Sequence, residues 1–274
     1  MGPEALSFIV FIVSMLTLMG IGLSMALALV LTGAAMAWTL DFWDTQLLAQ
    51  NLVAGVDSFP LLAVPFFILA GELMNSGGIS RRIIDMAQAW VGHIRGGLGF
   101  VTIAAAILMA SMSGSALADT AALATILLPM MRNQGYPMNT SAGLIAAGGI
   151  IAPIIPPSMP FVIYGVTTNT SISSLFLSGI VPGLIMAVGL IFAWKIELRK
   201  IDLPEGKPQP IRARLQATVK AFWAMLMPII IIGGMKSGIF TPTEAAVVAA
   251  FYALVVALFI HREMKVVEIY EVLL

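Results

Sequence analysis

Met112-Ser113-Gly114-Ser115-Ala116-Leu117-Ala118-Asp119-Thr120 interrupts an apolar run that extends over residues 98–131. Residues 98–112 form one apolar arm and residues 116–131 the other. Each arm is about 15 residues, or roughly 23 Å of helix at 1.5 Å per residue. A bilayer core of about 30 Å takes about 20 apolar residues per helical crossing, so neither arm spans it alone. Arg95 and Arg132 flank the pair. With both arginines on one side of a membrane, the pair is a re-entrant hairpin whose Ser-Gly-Ser tip lies deep in the lipid.

The composition fits a membrane setting. Hydrophobic residues make up 59% of the 274 and charged residues only 10%, against about 25% charged in a soluble domain. A formal net charge of zero offers no basic field for nucleic acid. There is no cysteine, so disulfides and thiolate metal sites are excluded. His93 and His261 sit beside basic residues at segment ends and read as interfacial. No nucleophile elbow, Walker loop or dinucleotide-binding glycine pattern is present, so the chain is not read as an enzyme or an ATPase. Residues 6–30 are apolar but lack a basic n-region, so they read as a first membrane segment rather than a cleaved signal peptide.

Outward from the hairpin, further segments follow. Residues 6–40 are too long for one comfortable crossing and short for two. Gly20-Ile21-Gly22 is their natural break, and one tilted helix or two tight passes both fit. A polar piece with Asp41, Asp44 and Asp57 leads to a crossing over 59–74, closed by Asn75-Ser76-Gly77-Gly78. Residues 80–91 differ in kind. Ile79, Ile83, Met86, Ala87, Trp90 and Val91 share one helical face, and Arg81, Arg82 and Asp85 fall mainly on the other. This predicts an amphipathic helix lying in the interface. Residues 172–194 and 222–233 are further crossings. The loop 195–220 between them holds seven of the 14 Lys and Arg: Lys195, Arg199, Lys200, Lys207, Arg212, Arg214 and Lys220. The positive-inside rule makes it cytoplasmic, so the hairpin enters from the cytoplasm. The last crossing covers 244–260. It opens on the capping box Thr241-Pro242-Thr243-Glu244, in which Glu244 reads as a cap. A second amphipathic stretch over 264–274 places Val266, Ile269, Tyr270 and Leu273 on one face.

A second interruption lies within 141–166: Gly148-Gly149-Ile150-Ile151-Ala152-Pro153-Ile154-Ile155-Pro156-Pro157-Ser158-Met159-Pro160. Four prolines so close together cannot continue a helix. Unwound backbone at membrane depth is tolerated only where protein covers it or a cavity hydrates it. Paired interrupted segments are a sequence pointer to a transporter site. Freed carbonyls and serine oxygens suit Na⁺, and helix N-termini favour carboxylates. Ser115 can cap the second arm, while Ser111, Ser113 and Gly114 offer oxygens. Gly148, Gly149, Pro153 and Ser158 can complete a sodium cage and a substrate shelf. The competing reading is that the small residues serve close helix packing. Asp119, an intramembrane carboxylate, is functional by default. Binding Na⁺, capping the arm and pairing with a neighbouring helix stay open for it. Glu72, near the cytoplasmic end of its helix, fits a solvated or snorkelling role at least as well as a site role, and the 18 methionines read as packing.

Five ordered motifs carry a resemblance. Asp57-Ser58-Phe59-Pro60-Leu61-Leu62-Ala63-Val64-Pro65-Phe66-Phe67 comes first, then Ala70-Gly71-Glu72-Leu73-Met74-Asn75. The Ser-Gly-Ser stretch to Thr120, the Gly/Pro stretch to Ser158, and Phe240-Thr241-Pro242-Thr243-Glu244-Ala245 complete the set. Together they resemble the large membrane (DctM-like) subunit of TRAP, the tripartite ATP-independent periplasmic transporters. Within that family the chain looks closest to sugar-acid permeases such as those for 2,3-diketogulonate, with C4-dicarboxylate members as near neighbours.

The resemblance implies an all-α polytopic protein of the bacterial inner membrane with an elevator-type ion transporter fold. It implies uptake of a small organic anion coupled to Na⁺, with no other cofactor. The implied partners are a small membrane subunit and a periplasmic substrate-binding protein, besides the lipid bilayer. Sodium coordination carries over to Ser113, Gly114, Ser115, Gly149 and Pro153. Substrate contacts are expected at Ser111, Asp119, Thr120, Pro156, Pro157 and Ser158. The implied organisation is scaffold helices and an arm helix over 1–95, then a transport-domain part over 96–170 with the hairpin (96–132) and the broken helix (138–168). Transmembrane helices with the basic loop (195–220) then occupy 171–274. Family members carry a second inverted half that nothing here resembles, so the chain is expected to be the N-terminal of two repeats. The alternatives are a sodium/carboxylate elevator carrier that needs no binding protein, and an inactive truncated fragment.

Overall fold

The computed structural model describes residues 3–201, 203, 206, 208–265 and 268–273. Lys207 and Val266, named above, lie outside these. Among the described residues every regular element is helical. Two compact units divide the chain at residue 58.

The first unit, Met1–Ser58, holds α1 (Pro3–Gly20), α2 (Met25–Thr39) and α3 (Thr45–Val56). The break at Gly20-Ile21-Gly22 resolves as a turn between two helices, with Gly22 at φ 91°. Ser14 Oγ donates to Thr32 Oγ1 across the pair at 3.2 Å. The third helix was not expected from the polar piece. Its start is set by Asp44, whose carboxylate accepts from Gln46 N–H at 2.8 Å and Leu47 N–H at 3.2 Å. That N-cap turns an aspartate that looked like loop chemistry into a helix signal.

The second unit, Phe59–Leu274, is built around α4 (Ala63–Ser76), which follows a 3-10 turn at Phe59–Leu62 and packs along α12 (Pro242–Val255). The buried face of α12 is Ala245, Ala246, Ala249, Ala250 and Ala253. Phe67, Ala70, Gly71 and Met74 are buried on α4. Small residues at helical spacing let two backbones approach closely where lipid gives no hydrophobic drive. The Thr241–Glu244 capping box forms as expected, with Glu244 N–H donating to Thr241 Oγ1 and Thr241 N–H to the Glu244 carboxylate. A π-helical turn, Val256–His261, prolongs this helix, and a short α13 (Glu268–Leu273) follows.

Helix α5 (Ile79–Val91) starts after Gly78, whose φ of 68° turns the chain. Its apolar face is buried against protein, on α6 (Gly97–Ser113) and α11 (Ile211–Lys236), rather than turned to lipid. At its end Val91 is half-buried and Trp90 is exposed, with its Nε1–H donating to Thr218 Oγ1. Helix α11 begins at Ile211, well before residue 222, so residues 211–220 of the expected basic loop are helix. The charges of that part, such as Arg212, Arg214 and Lys220, extend α11 beyond its apolar stretch.

The segments α10 (Ile172–Glu197), α11 and Pro242–His261 are each long and apolar enough to cross a bilayer. Val181, Ile185, Val188 and Phe192 leave an exposed apolar stripe along α10. In water such a stripe is a liability; in a bilayer it is the solvent-facing surface.

One cluster closes the base of the α6 hairpin. Trp194 Nε1–H donates to Gly96 O at 3.0 Å, and the indole stacks on Tyr136 with ring centroids 6.2 Å apart. Leu98 N–H donates to Tyr136 Oη at 3.3 Å. Gly99 lies against the indole, where a Cβ would overlap Trp194. Gly99→Val should therefore destabilise the fold by about 1–3 kcal/mol through overpacking. Gly143→Ala, in α8 (Met138–Gly149) with open space around it, should be neutral or stabilising by up to about 1 kcal/mol. Unfolding of both variants in mixed micelles checks the pair.

Candidate functional site

The hairpin runs from α6 through Gly114 and Ser115 into α7 (Ala116–Asn133). Both arms return to one end, because Leu98 at the start of α6 bonds Tyr136 just past the end of α7. At the tip, Gly114 adopts φ 62°, a left-handed conformation that glycine takes without cost. No backbone N–H beyond α6 returns to its last carbonyls among the described residues. The negative end of α6 is therefore bare at the tip.

Three side chains hold the turn. Ser115 caps α7, its Oγ accepting from Ala118 N–H at 3.3 Å. Ser115 N–H donates to Ser113 Oγ at 3.1 Å, and Ser113 Oγ donates to Asp119 Oδ1 at 2.6 Å. Asp119 is buried at 2% exposure, and its Oδ2 has no hydrogen-bond partner. A buried carboxylate oxygen without a partner is costly, and it marks a place where a cation or a further donor would be stabilising.

The second interruption faces this tip. Helix α8 ends at Gly149, and α9 (Met159–Thr167) begins after Ser158. Between them the backbone is irregular, with a cis peptide at Pro156-Pro157. Ser158 caps α9 by accepting from Phe161 N–H at 3.3 Å, and its Oγ–H donates back to Pro153 O at 2.5 Å. The carbonyls of Ala152, Ile154, Pro156 and Pro157 accept no hydrogen bond among the described residues.

Glycines set the closeness of these pieces. A Cβ on Gly114 would collide with Pro157 O, and one on Gly149 with Thr120 Oγ1. On α4, a Cβ at Gly71 would stand 3.1 Å from Ser113 Cβ. Gly179 and Gly183 on α10 receive Ile154 O and the Ile155 side chain. The hairpin tip and the proline break are thus in van der Waals contact inside the unit.

Of the expected sodium ligands, Ser113, Gly114 and Ser115 form the tip. Gly149 packs beside it through Thr120, and Pro153 offers a carbonyl shared with Ser158. Of the expected substrate residues, Asp119, Thr120, Pro157 and Ser158 cluster with them. Ser111 donates to Leu108 O within its own helix at 2.6 Å. Pro156 lines a separate small cavity with Phe176 and Met235. The sequence reading did not single out Gly179 and Gly183. Their four-residue spacing on an apolar helix was the available signal.

The oxygens gathered here are carbonyls, hydroxyls and one carboxylate. They are hard donors, suited to a hard cation rather than a soft or borderline metal. Gly114→Ala should cost more than the about 1–2 kcal/mol of a left-handed alanine, because it also meets Pro157 O. Gly135→Ala, at φ 79° in open space, should cost only that conformational amount. Unfolding free energies of the two variants, compared side by side, check the close approach.

A family profile described as the DctM component of the tripartite ATP-independent periplasmic transporter matches residues 8–274. The 2,3-diketo-L-gulonate TRAP transporter large permease protein YiaN of Escherichia coli is 52% identical over 98% of this chain and 63% of its own length. The C4-dicarboxylate TRAP transporter large permease protein DctM of Pseudomonas aeruginosa is 44% identical, over 83% of this chain and 53% of its own length. The sialic acid TRAP transporter large permease protein SiaM of Vibrio cholerae is 41% identical over 92% and 59%. The chain spans less than two thirds of the length of these curated relatives. A match over nearly the whole chain, on a helical membrane fold with a broken-helix centre, makes this a multi-pass membrane protein of the DctM family of TRAP transporter large permeases.

Proposed function

We propose that the chain forms part of a TRAP large permease subunit that imports a small organic anion, a sugar acid or C4-dicarboxylate, with Na⁺ as the coupling ion. The membrane is the bacterial inner membrane. A periplasmic binding protein delivers the anion, and a small membrane subunit braces the permease. The cargoes for which the relatives are named, 2,3-diketo-L-gulonate, C4-dicarboxylates and sialic acid, support an organic acid as cargo.

The observation that carries this reading is the meeting of two helix breaks. The bare carboxyl end of α6, the Ser113–Asp119 pair and the free carbonyls near Pro157 converge across Gly114. Na⁺ at this junction draws oxygens from both pieces, with Ser113, Gly114 and Ser115 on one side and Gly149 and Pro153 on the other. The anion sits beside it near Thr120, Pro157 and Ser158, where the N-termini of α7 and α9 favour a carboxylate. The hairpin re-enters the membrane, since α6 is about 25 Å long at 1.5 Å per residue and both arms end on one side. Carrying ion and anion together on this body is an elevator step. Its sodium dependence follows from the ion completing the junction.

The test is uptake into proteoliposomes, with the chain in its full-length gene context and both partners supplied. An inward Na⁺ gradient should drive accumulation of 2,3-diketogulonate or a C4-dicarboxylate, and a K⁺ gradient should not. Accumulation without a binding protein would favour a carrier of another type. Gly149→Leu, which forces a side chain into Thr120, should lower sodium-driven uptake by about ten- to a hundredfold, as expected for about 1–3 kcal/mol of strain. Asp119→Asn keeps the acceptor for Ser113 but removes the charge. It should raise the Na⁺ concentration for half-maximal uptake several-fold; an unchanged titration would assign the carboxylate to holding the tip alone.

A further inference from the structure

Away from the hairpin, a groove of about 580 Å³ opens between α5, α11 and the end of the α12 segment. A recess of about 150 Å³ adjoins it and shares Arg82, Asp85 and Lys220. The groove lies where charge gives way to hydrocarbon. Lys220 is the last charge on α11 before an apolar run that reaches Lys236. Ile260 and His261 end the apolar segment that begins at Pro242. The groove therefore sits at headgroup depth.

Its wall is of three kinds. Arg82 and Glu263 satisfy each other at 2.6 Å, and Arg82 also donates to Gly78 O at 3.0 Å. Arg81, Lys220 and Asp85 line the same space and have no ion-pair partner among the described residues. His261 Nε2 is buried there without a hydrogen-bond partner. Val219, Trp223 and Ile260 supply an apolar side. Two free cations, one free carboxylate and an apolar flank call for an amphiphile that carries a phosphate, an ammonium and a hydrocarbon chain. Basic pockets between membrane helices are suited to phospholipid headgroups, and tryptophan favours this depth.

We propose that this groove binds an amine-bearing phospholipid of the phosphatidylethanolamine type. Its phosphate rests on Arg81 and Lys220, its ammonium beside Asp85, and one acyl chain along Trp223 and Ile260. The lipid then fastens α5 to α11 where Arg82–Glu263 already ties α5 to the end of the α12 segment. The binding is independent of the transport reading.

The complete permease, stripped of lipid in detergent, is the material for the test. Phosphatidylethanolamine, phosphatidylglycerol and inorganic phosphate are added separately, with native mass spectrometry and thermal stability as readouts. Phosphatidylethanolamine should be retained and should raise the melting temperature. Phosphatidylglycerol should act more weakly and inorganic phosphate not at all. The double variant Arg81→Gln/Lys220→Gln should weaken phosphatidylethanolamine binding by at least about tenfold, as expected for lost charge-assisted contacts. Arg81→Lys should keep most of it, and Asp85→Asn should erase the preference over phosphatidylglycerol. Arg81 and Lys220 are exposed, so these changes leave the packing intact. Stabilisation by inorganic phosphate alone, preference for phosphatidylglycerol, or undiminished binding to the double variant would each overturn the proposal.

Discussion

A peptide group without a hydrogen bond cannot be left facing hydrocarbon, and this chain exposes such groups twice. It resolves the problem by pressing the two defects together. Gly114 lies so close to Pro157 O that no side chain fits between them. The contact hides irregular backbone from lipid and concentrates oxygens at the same point. Covering the breaks and gathering these oxygens are therefore one structural act. A regular helix in either position would remove both.

The close approach depends on support from neighbouring helices. Gly71 on α4 makes room for Ser113, and Gly179 and Gly183 on α10 make room for residues 154 and 155. The base of the hairpin is held separately by Trp194, Tyr136 and Gly96. Tip and base are thus fixed by different contacts. Three serines at the junction each have a local duty: Ser115 as a cap, Ser113 as the relay to Asp119, Ser158 as the cap of α9. The unpartnered Asp119 Oδ2 is the exception to this economy.

Much of this was legible in the sequence because the signals are local. Ser-Gly-Ser inside an apolar run, four prolines in a row of turns and a Thr-Pro-Thr-Glu cap each announce a backbone event at a known place. The amphipathic face of α5 was also readable, but its neighbour was not. Periodicity reports that a face is apolar and says nothing about whether lipid or protein covers it, and here α6 and α11 do. Helix α3 was missed because Asp44 reads equally as a loop residue or an N-cap until its donors are seen. The start of α11 was missed because a basic, solvated helical turn has the composition of a loop. Which site residues meet was the least legible part. Thr120 against Gly149 and Gly71 against Ser113 are contacts between distant segments that no spacing encodes.

In the proposed function the hairpin tip and the proline break grip one ion together. Hydrogen–deuterium exchange of the full-length permease in nanodiscs, in Na⁺ and in K⁺ at equal ionic strength, tests this most directly. Residues 111–120 and 149–158 should gain protection in Na⁺ only, and both should do so with the same sodium dependence. Protection confined to one segment, or equal exchange in the two salts, would contradict the shared site.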